Sequence, residues 1–219
     1  MIKLAIFDLD GTLANSLYDL ADAVNKALSD EGFPVHEYEE YKHFVGNGAK
    51  KLIERALPAG TEESVRDKIH AAFNENYRSN CLNKTKPYDG ISELIGALKS
   101  AGIKCAVASN KPDEFSAYVV EGLFGRGVFS LIRGKREGVP TKPSPEIIFS
   151  IAEELGCALG EAIMIGDSNV DVYTAHNAGI GCIGCTWGFR GKEELRSAGA
   201  DYIAHYPSEI ADIISSEGK

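Results

Sequence analysis

The sequence predicts an α/β protein, a doubly wound parallel sheet carrying a small all-helical domain inserted after its first strand. Three observations predict it. The chain opens on a short apolar run, Leu4-Ala5-Ile6-Phe7, closed by Asp8-Leu9-Asp10-Gly11, and such a run ended by a glycine turn reads as a fully buried, parallel-type strand. Residues 15–83 then follow helical periodicity with no convincing strand among them. From Pro87 onward, short apolar runs alternate with helical stretches, the pattern of βαβ units and a parallel sheet.

Taken in order, Leu17, Leu20, Ala21, Val24 and Leu28 recur at helical spacing, and Gly32 ends the run. Helical character continues through 41–44, 49–57 and 64–77, where Val65, Ile69, Phe73 and Tyr77 mark one apolar face. Beyond it the pattern predicts helix 90–101, strand 103–109, helix 114–122, strand 129–133, helix 145–156 and strand 162–166. Helix 169–178, strand 181–187, helix 192–198, strand 201–204 and helix 207–215 complete the chain. The first strand therefore shares a sheet with the C-terminal part: residues 1–14 and 84–219 form one α/β core domain, and 15–83 a helical cap domain. The hinges fall near Ala14-Asn15 and Lys84–Pro87, and no internal repeat or low-complexity tract is present.

A chain of 219 residues with 44% hydrophobic composition can bury a full core. Its net charge of -9 argues against a nucleic-acid or anionic-membrane partner, but leaves room for an anionic substrate held by local cations and a metal. No segment approaches the ~18 apolar residues of a membrane helix. The expectation is a cytoplasmic protein, a monomer or homodimer. The five cysteines (Cys81, Cys105, Cys157, Cys182 and Cys185) fit reduced, mostly buried thiols. Cys182-x-x-Cys185 has no second Cys or His pair at metal spacing and lies in an expected strand, so it reads as structural. Histidines fall singly at 36, 43, 70, 176 and 205, and none is assigned catalysis.

Ligands of open α/β sheets gather at the carboxyl ends of the strands. Asp8 and Asp10 emerge there two residues apart, on the same side of an extended chain, close enough to share a divalent cation or to divide the work of nucleophile and acid. Taken alone, Asp10-Gly11 reads as a turn and Asp8 as a helix cap. Other strand ends decide between these. One delivers Ser109 and Asn110; another delivers Gly166, Asp167 and Ser168, with Asp171 a turn later. Lys142 comes from Thr141-Lys142-Pro143-Ser144-Pro145-Glu146, where Pro143 biases the lysine to extended geometry and Ser144 and Pro145 read as N-cap and first helical residue. Acids, a hydroxyl and a lysine at strand ends and a helix start are the inventory for phosphoryl transfer through a Mg²⁺-assisted covalent intermediate.

The chemistry suggests roles. Mg²⁺ prefers oxygen and keeps several waters, so Asp8 and Asp167 are the carboxylate candidates. Asp8 can also offer an oxygen to phosphorus in line, and Ser109, nearby backbone N–H groups and Lys142 can hold the non-bridging oxygens. Asp10 can protonate the leaving alkoxide and then take a proton from the attacking water. Asp171 is placed to orient the metal's waters or Lys142.

These residues carry a resemblance. Phe7-Asp8-Leu9-Asp10-Gly11-Thr12-Leu13, Ala108-Ser109-Asn110, Lys142 and Ile165-Gly166-Asp167-Ser168-Asn169-Val170-Asp171 are similar, in order, to the four motifs of the haloacid dehalogenase superfamily of phosphohydrolases. The whole chain most resembles that superfamily's phosphoglycolate phosphatase branch. The resemblance implies a Rossmann-like core and a mobile helical cap that closes over substrate. It implies a Mg²⁺-dependent phosphoric monoester hydrolase acting on a small phosphorylated metabolite, best matched by a phosphoglycolate phosphatase. The metal would be held by side-chain oxygens of Asp8 and Asp167 and the backbone carbonyl of Asp10, with Ser109, Asn110 and Lys142 on phosphate and Ser168 and Asp171 behind them.

The segment 44–57 resembles the branch's substrate-reading loop and helix, which implies Gly46, Asn47, Gly48, Lys50 and Arg55 as contacts; an ordinary loop and solvated basic helix face would look the same. Thr186-Trp187-Gly188-Phe189-Arg190 also resembles the branch, with Trp187 either in the core or lining the cleft. Glycine at 166, where β-phosphoglucomutase-type mutases usually carry an acid, speaks against a mutase, and Asp10 speaks against a haloalkanoate dehalogenase. Another small phosphate ester or pyrophosphate remains an alternative substrate, since the cap chooses the leaving group. A receiver-like signalling domain also phosphorylates an aspartate, but needs neither Asp10 nor a cap.

Overall fold

The computed structural model describes residues 1–216. Along the chain the first elements are β1 (Leu4–Phe7), β2 (Ala14–Asn15), α1 (Leu17–Asp30), α2 (Tyr38–Phe44), α3 (Ala49–Ala56), α4 (Glu63–Asn80), β3 (Lys86–Pro87) and α5 (Ile91–Ser100). Next come β4 (Lys104–Pro112), α6 (Asp113–Phe124), β5 (Leu131–Lys135), α7 (Glu146–Leu155), β6 (Ala162–Gly166), α8 (Asn169–Ala178), β7 (Gly181–Cys185), α9 (Lys192–Ala198), β8 (Tyr202–Ala204) and α10 (Pro207–Ser216). The expected fold class is observed. Six parallel strands run in the order β5-β4-β1-β6-β7-β8.

The central strand shows why the sheet is doubly wound. Alternate residues of a strand point to opposite faces, and β1 has apolar residues on both: Leu4 and Ile6 join one buried cluster with Ile147, Ile148, Ile151 and Met164, while Ala5 and Phe7 join the other. Only a strand covered on both sides tolerates that pattern. After β1 the chain works outward through β4 to β5, then crosses back to β6 on β1's other flank and continues to β7 and β8. The winding direction reverses between β1 and β6, the topological switch point at which such sheets bind ligands.

Helices α1–α4 lie between β2 and β3, which pair antiparallel as a two-strand ribbon through Ala14–Pro87 and Asn15–Lys86. The ribbon takes the place of the plain hinges expected at those positions. Its strands are two residues each, too short to leave a periodic signal. Within the helical insert α1 packs on α4, and the carboxylate of Asp19 accepts from Lys84 N and from the N–H and hydroxyl of Thr85, tying α1 to the returning chain.

Three boundaries differ from expectation in ways that matter. β4 runs on through Ser109, Asn110 and Lys111 to Pro112, with a register shift against β5 between Ala108 and Pro112. Its polar end stays extended because each of those side chains finds a buried partner. The strand expected at 129–133 is β5, at Leu131–Lys135. Ser144 does not cap α7: Pro145 occupies the N-cap position and the Ser144 hydroxyl donates to the Glu146 carboxylate instead. Cys182 and Cys185 are buried in β7 and unbridged, in keeping with a structural role. Among the described residues, no helix is long and apolar enough to cross a membrane.

Candidate active site

The carboxyl ends of β1, β4 and β6 and the loop before α7 bring Asp8, Ser109, Lys142, Asp167 and Asp171 together, all buried. Carboxylate oxygens of Asp8, Asp167 and Asp171 lie within 4.8 Å of one another. The Lys142 ammonium sits between two of these acids, 2.7 Å from Asp8 Oδ1 and 2.7 Å from Asp171 Oδ1. Three acids against one lysine leave a formal excess of two negative charges in a desolvated pocket.

The electrostatics register that excess. Burial pushes the Asp8 carboxyl up to about 7 despite the attraction of Lys142, and repulsion from Asp171 and Asp10 adds to the shift. Burial, then repulsion from Asp171 and Asp8, raises Asp167 well above the ordinary carboxylate range. On Lys142 burial works against the charge, and Asp171 and Asp8 outweigh it to hold the ammonium above its ordinary value. Hard oxygen donors with two uncompensated negative charges fit a dication. Asp8 and Asp167 face each other across the β1–β6 switch point, as the sequence leads one to expect of a shared ligand.

Each acid is held by its surroundings. One Asp171 oxygen takes Lys142, and the other takes the Ser168 hydroxyl at 2.7 Å and the Ser168 N–H at 3.2 Å, a capping box at the start of α8. Both oxygens are thereby engaged, so Asp171 orients Lys142. Asp167 accepts from Phe189 N at 2.7 Å and from the Thr12 hydroxyl at 3.3 Å. The backbone after β7 comes this close only because residue 188 is glycine, where a Cβ would lie 2.3 Å from Asp167 Cβ. Trp187 is half-buried beside it, packed against the core and donating from Nε1 to Thr12 O at 3.1 Å, so it braces the first turn. Gly166 is equally constrained: a Cβ there would stand 2.2 Å from the Asp171 Cβ, leaving no room for the acid a mutase would carry.

Two expected site residues have other work here. The Asn110 side chain was expected on phosphate, yet its amide donates to Lys142 O and to Gly46 O, both at 3.1 Å, and its oxygen accepts from Lys142 N at 2.9 Å. Both amide hydrogens are committed, so Asn110 brackets the lysine loop to β4 and to the helical insert. Asp10 is turned from the metal candidates toward Ser16, whose hydroxyl donates at 2.5 Å, and toward Lys111 Nζ at 2.8 Å.

The contacts expected from the insert divide. Gly46 and Gly48 line the cleft above Asp8 and Asp10. Asn47, Lys50 and Arg55 do not: Arg55 donates to Phe44 O at 2.9 Å and to Asn47 Oδ1 at 2.7 Å, and Lys50 lines a separate cavity with Glu54, Arg66 and His70. Asn47 and Arg55 line a second cavity together with Pro143, Asn169, Val170 and Arg190 of the core. Lys111 was missed. It is buried, donates to Tyr77 Oη of α4 at 2.6 Å, and borders the same cleft. The available signal was a lysine directly after Ser109-Asn110, at what looked like the solvent end of a strand.

The likenesses to known proteins agree with this geometry. Residues 5–185 match the family model described as haloacid dehalogenase-like hydrolase. The chain is 31% identical to the phosphoglycolate phosphatase of Vibrio parahaemolyticus over 98% of its own length and 96% of that protein. It is likewise 31% identical to that of Aquifex aeolicus, with 98% of each chain covered. A crystal structure of a candidate phosphoglycolate phosphatase from Lactobacillus delbrueckii subsp. bulgaricus superposes with a TM-score of 0.92 at 31% identity, covering 97% of this chain and 98% of that one. Strand-end acids across the switch point, an insert after the first strand and a family match over most of the length converge: this chain belongs to the haloacid dehalogenase-like hydrolases.

Proposed function

We propose that the protein is a Mg²⁺-dependent phosphomonoesterase that cleaves a small metabolite phosphate through an aspartyl phosphate on Asp8, with 2-phosphoglycolate the leading substrate. The observation carrying this reading is the pairing of Asp8 with Lys142 and Asp167 on one side, and with Asp10, two residues on, beneath a cleft walled by the insert. The names of the relatives at 31% identity support the substrate.

Bound by Asp8, Asp167 and the Asp10 carbonyl, Mg²⁺ would offset the repulsion between the incoming phosphate and the buried acids. In the first step one Asp8 oxygen bonds to phosphorus as the ester P–O bond breaks, and Asp10, protonated, delivers its proton to the departing alkoxide. In the second, Asp10 as carboxylate takes a proton from water as that water's oxygen bonds to phosphorus, and the acyl phosphate bond breaks to return Asp8 and inorganic phosphate. To serve both steps Asp10 must rotate from Ser16 and Lys111, a realignment of the kind catalytic groups make when substrate binds. The Ser109 hydroxyl and the third N–H of Lys142 remain to hold the phosphoryl oxygens. The helical insert acts as the cap, and closure over the cleft would exclude water and read the leaving group. The absence of room at Gly166 favours hydrolysis over mutase chemistry. Five unbridged cysteines suit a reducing cytoplasm, and the working unit is a monomer or homodimer.

Initial rates over a metabolite-phosphate panel that includes pyrophosphate, with and without Mg²⁺, test this. The highest kcat/KM should belong to 2-phosphoglycolate and vanish on chelation. Asp8→Asn, which keeps the side chain's shape and removes the nucleophile, should lower kcat by ~10⁴-fold or more. Appreciable turnover by that variant would sink the covalent mechanism.

A further inference from the structure

The cleft above Asp8 and Asp10 spans about 530 Å³, solvent mouth included. Its floor carries two carboxylates and its far wall is mostly apolar, built from Leu20, Val45, Leu52, Phe73 and Phe115. Among the residues lining it, one alone is cationic: Lys111. The two insert cations expected at the substrate are engaged elsewhere, Arg55 with Phe44 O and Asn47 Oδ1 in a second cavity and Lys50 in a third. An anionic leaving group entering this space meets no cation from the helices that line it.

We propose that Lys111 determines specificity by binding the negatively charged end of the leaving group, a carboxylate in the case of phosphoglycolate. This deepens the phosphatase reading above and rests on it.

The geometry supports the assignment in three ways. Lys111 follows Ser109 by two residues on the extended end of β4, its N–H donates to Ser109 Oγ at 3.2 Å, and both residues line the cleft, so a phosphoryl held at Ser109 presents its substituent toward Lys111. An ammonium has three donors; two go to Asp10 Oδ1 and Tyr77 Oη, leaving one for a ligand. The charge is secure. Asp10 Oδ1, 2.8 Å from Nζ, and Tyr77 Oη, 2.6 Å from it, both accept from the ammonium. The Tyr77 ring centroid lies 4.7 Å from Nζ, and the ring is itself fixed by stacking on Phe73 and by an edge contact with Phe115. The ammonium is therefore positioned before any ligand arrives, and a preorganised, desolvated cation discriminates charge more sharply than a surface one.

The test compares kcat/KM for 2-phosphoglycolate with that for ethyl phosphate, which has the same phosphoester and no carboxylate. The wild type, Lys111→Met and Lys111→Arg are measured with Mg²⁺ present. The ratio of the two values cancels any general effect of Lys111 on Asp10 or on folding yield. The expected result is a ratio at least 30-fold lower in Lys111→Met, expressed mainly through KM for the carboxylate ester, and largely restored in Lys111→Arg. A ratio unchanged in Lys111→Met overturns the proposal. If Lys111→Met does not fold, the wild type decides through inhibition of ethyl phosphate hydrolysis. Glycolate inhibiting far below the concentration needed with uncharged ethylene glycol supports the site, and equal inhibition overturns it. Failure of the underlying reading looks different: wild-type enzyme would prefer another phosphorylated acid, such as 3-phosphoglycerate, to 2-phosphoglycolate, while the anionic-to-neutral ratio still collapsed in Lys111→Met.

Discussion

Two buried lysines stand a short distance apart in this molecule, each between two oxygens, and they differ in what they are attached to. Lys142 pairs with Asp8, at the carboxyl end of β1, and with Asp171, in the first turn of α8, and its backbone is bracketed on both sides by Asn110. Every partner of that ammonium belongs to the α/β core. Lys111 pairs with Asp10 of the core and with Tyr77 of the insert, so its surroundings change whenever the insert shifts against the sheet. The difference separates tasks. Phosphoryl chemistry, common to any ester, is built on groups of the core alone; choice of the leaving group is built on a cation that the insert completes.

Breaking the first center should have the largest effect. Lys142→Met leaves Asp8 and Asp171 buried with no cation between them, which costs about 3–5 kcal/mol of stability and lowers kcat by ~10³-fold on every ester alike. Chemical denaturation alongside kinetics on two esters checks both halves, and a loss confined to one ester would erase the distinction between the two lysines.

Next comes pH. Burial holds Asp8 at about 7 against 3.8 in the unfolded chain, so between those values the folded protein keeps a proton that the unfolded chain has released. Metal-free stability is therefore greatest below the window and falls as pH rises through it, by on the order of 4 kcal/mol. Thermal unfolding from pH 4 to 8 in chelator should show the decline. Mg²⁺ should flatten it, and a metal-free Tm that climbed across the same range would contradict the uncompensated charge in this center.

The smallest effect sharpens the second center. Tyr77→Phe retains the stacking on Phe73 and deletes one acceptor of Lys111, at a cost of ~1 kcal/mol. KM for 2-phosphoglycolate should rise by less than tenfold with kcat nearly kept, and a larger fall in kcat than rise in KM would move Tyr77 from binding to chemistry.

Much of the fold is written in local pattern. The apolar run at 4–7 ended by two acids, the helical periodicity to residue 77 and the alternation beyond Pro87 are properties of neighbouring residues, and the strand-end rule turns them into a short roster of chemistry-bearing side chains. Asp8, Ser109 and Asp167 were legible because the end of each strand is marked in the sequence and the parallel sheet brings such ends together, and Lys142 because Pro143 and Pro145 mark the helix start that carries it. Local pattern says nothing of where a long polar side chain turns once the sheet is formed. Asn110 looks like a phosphate ligand until the loop carrying Lys142 closes on it from 32 residues away. Lys50 and Arg55 look like substrate cations, but α3 presents them to other cavities, and Lys111, just past the end of the expected strand, is buried by Asp10 and Tyr77, 101 and 34 residues distant. The sequence by itself determined the sheet, the insert and the acids at the strand ends, since these depend on hydrophobic period and turn chemistry. Only the tertiary structure decided which cation faces the substrate cleft, since a buried charge is located by partners far along the chain.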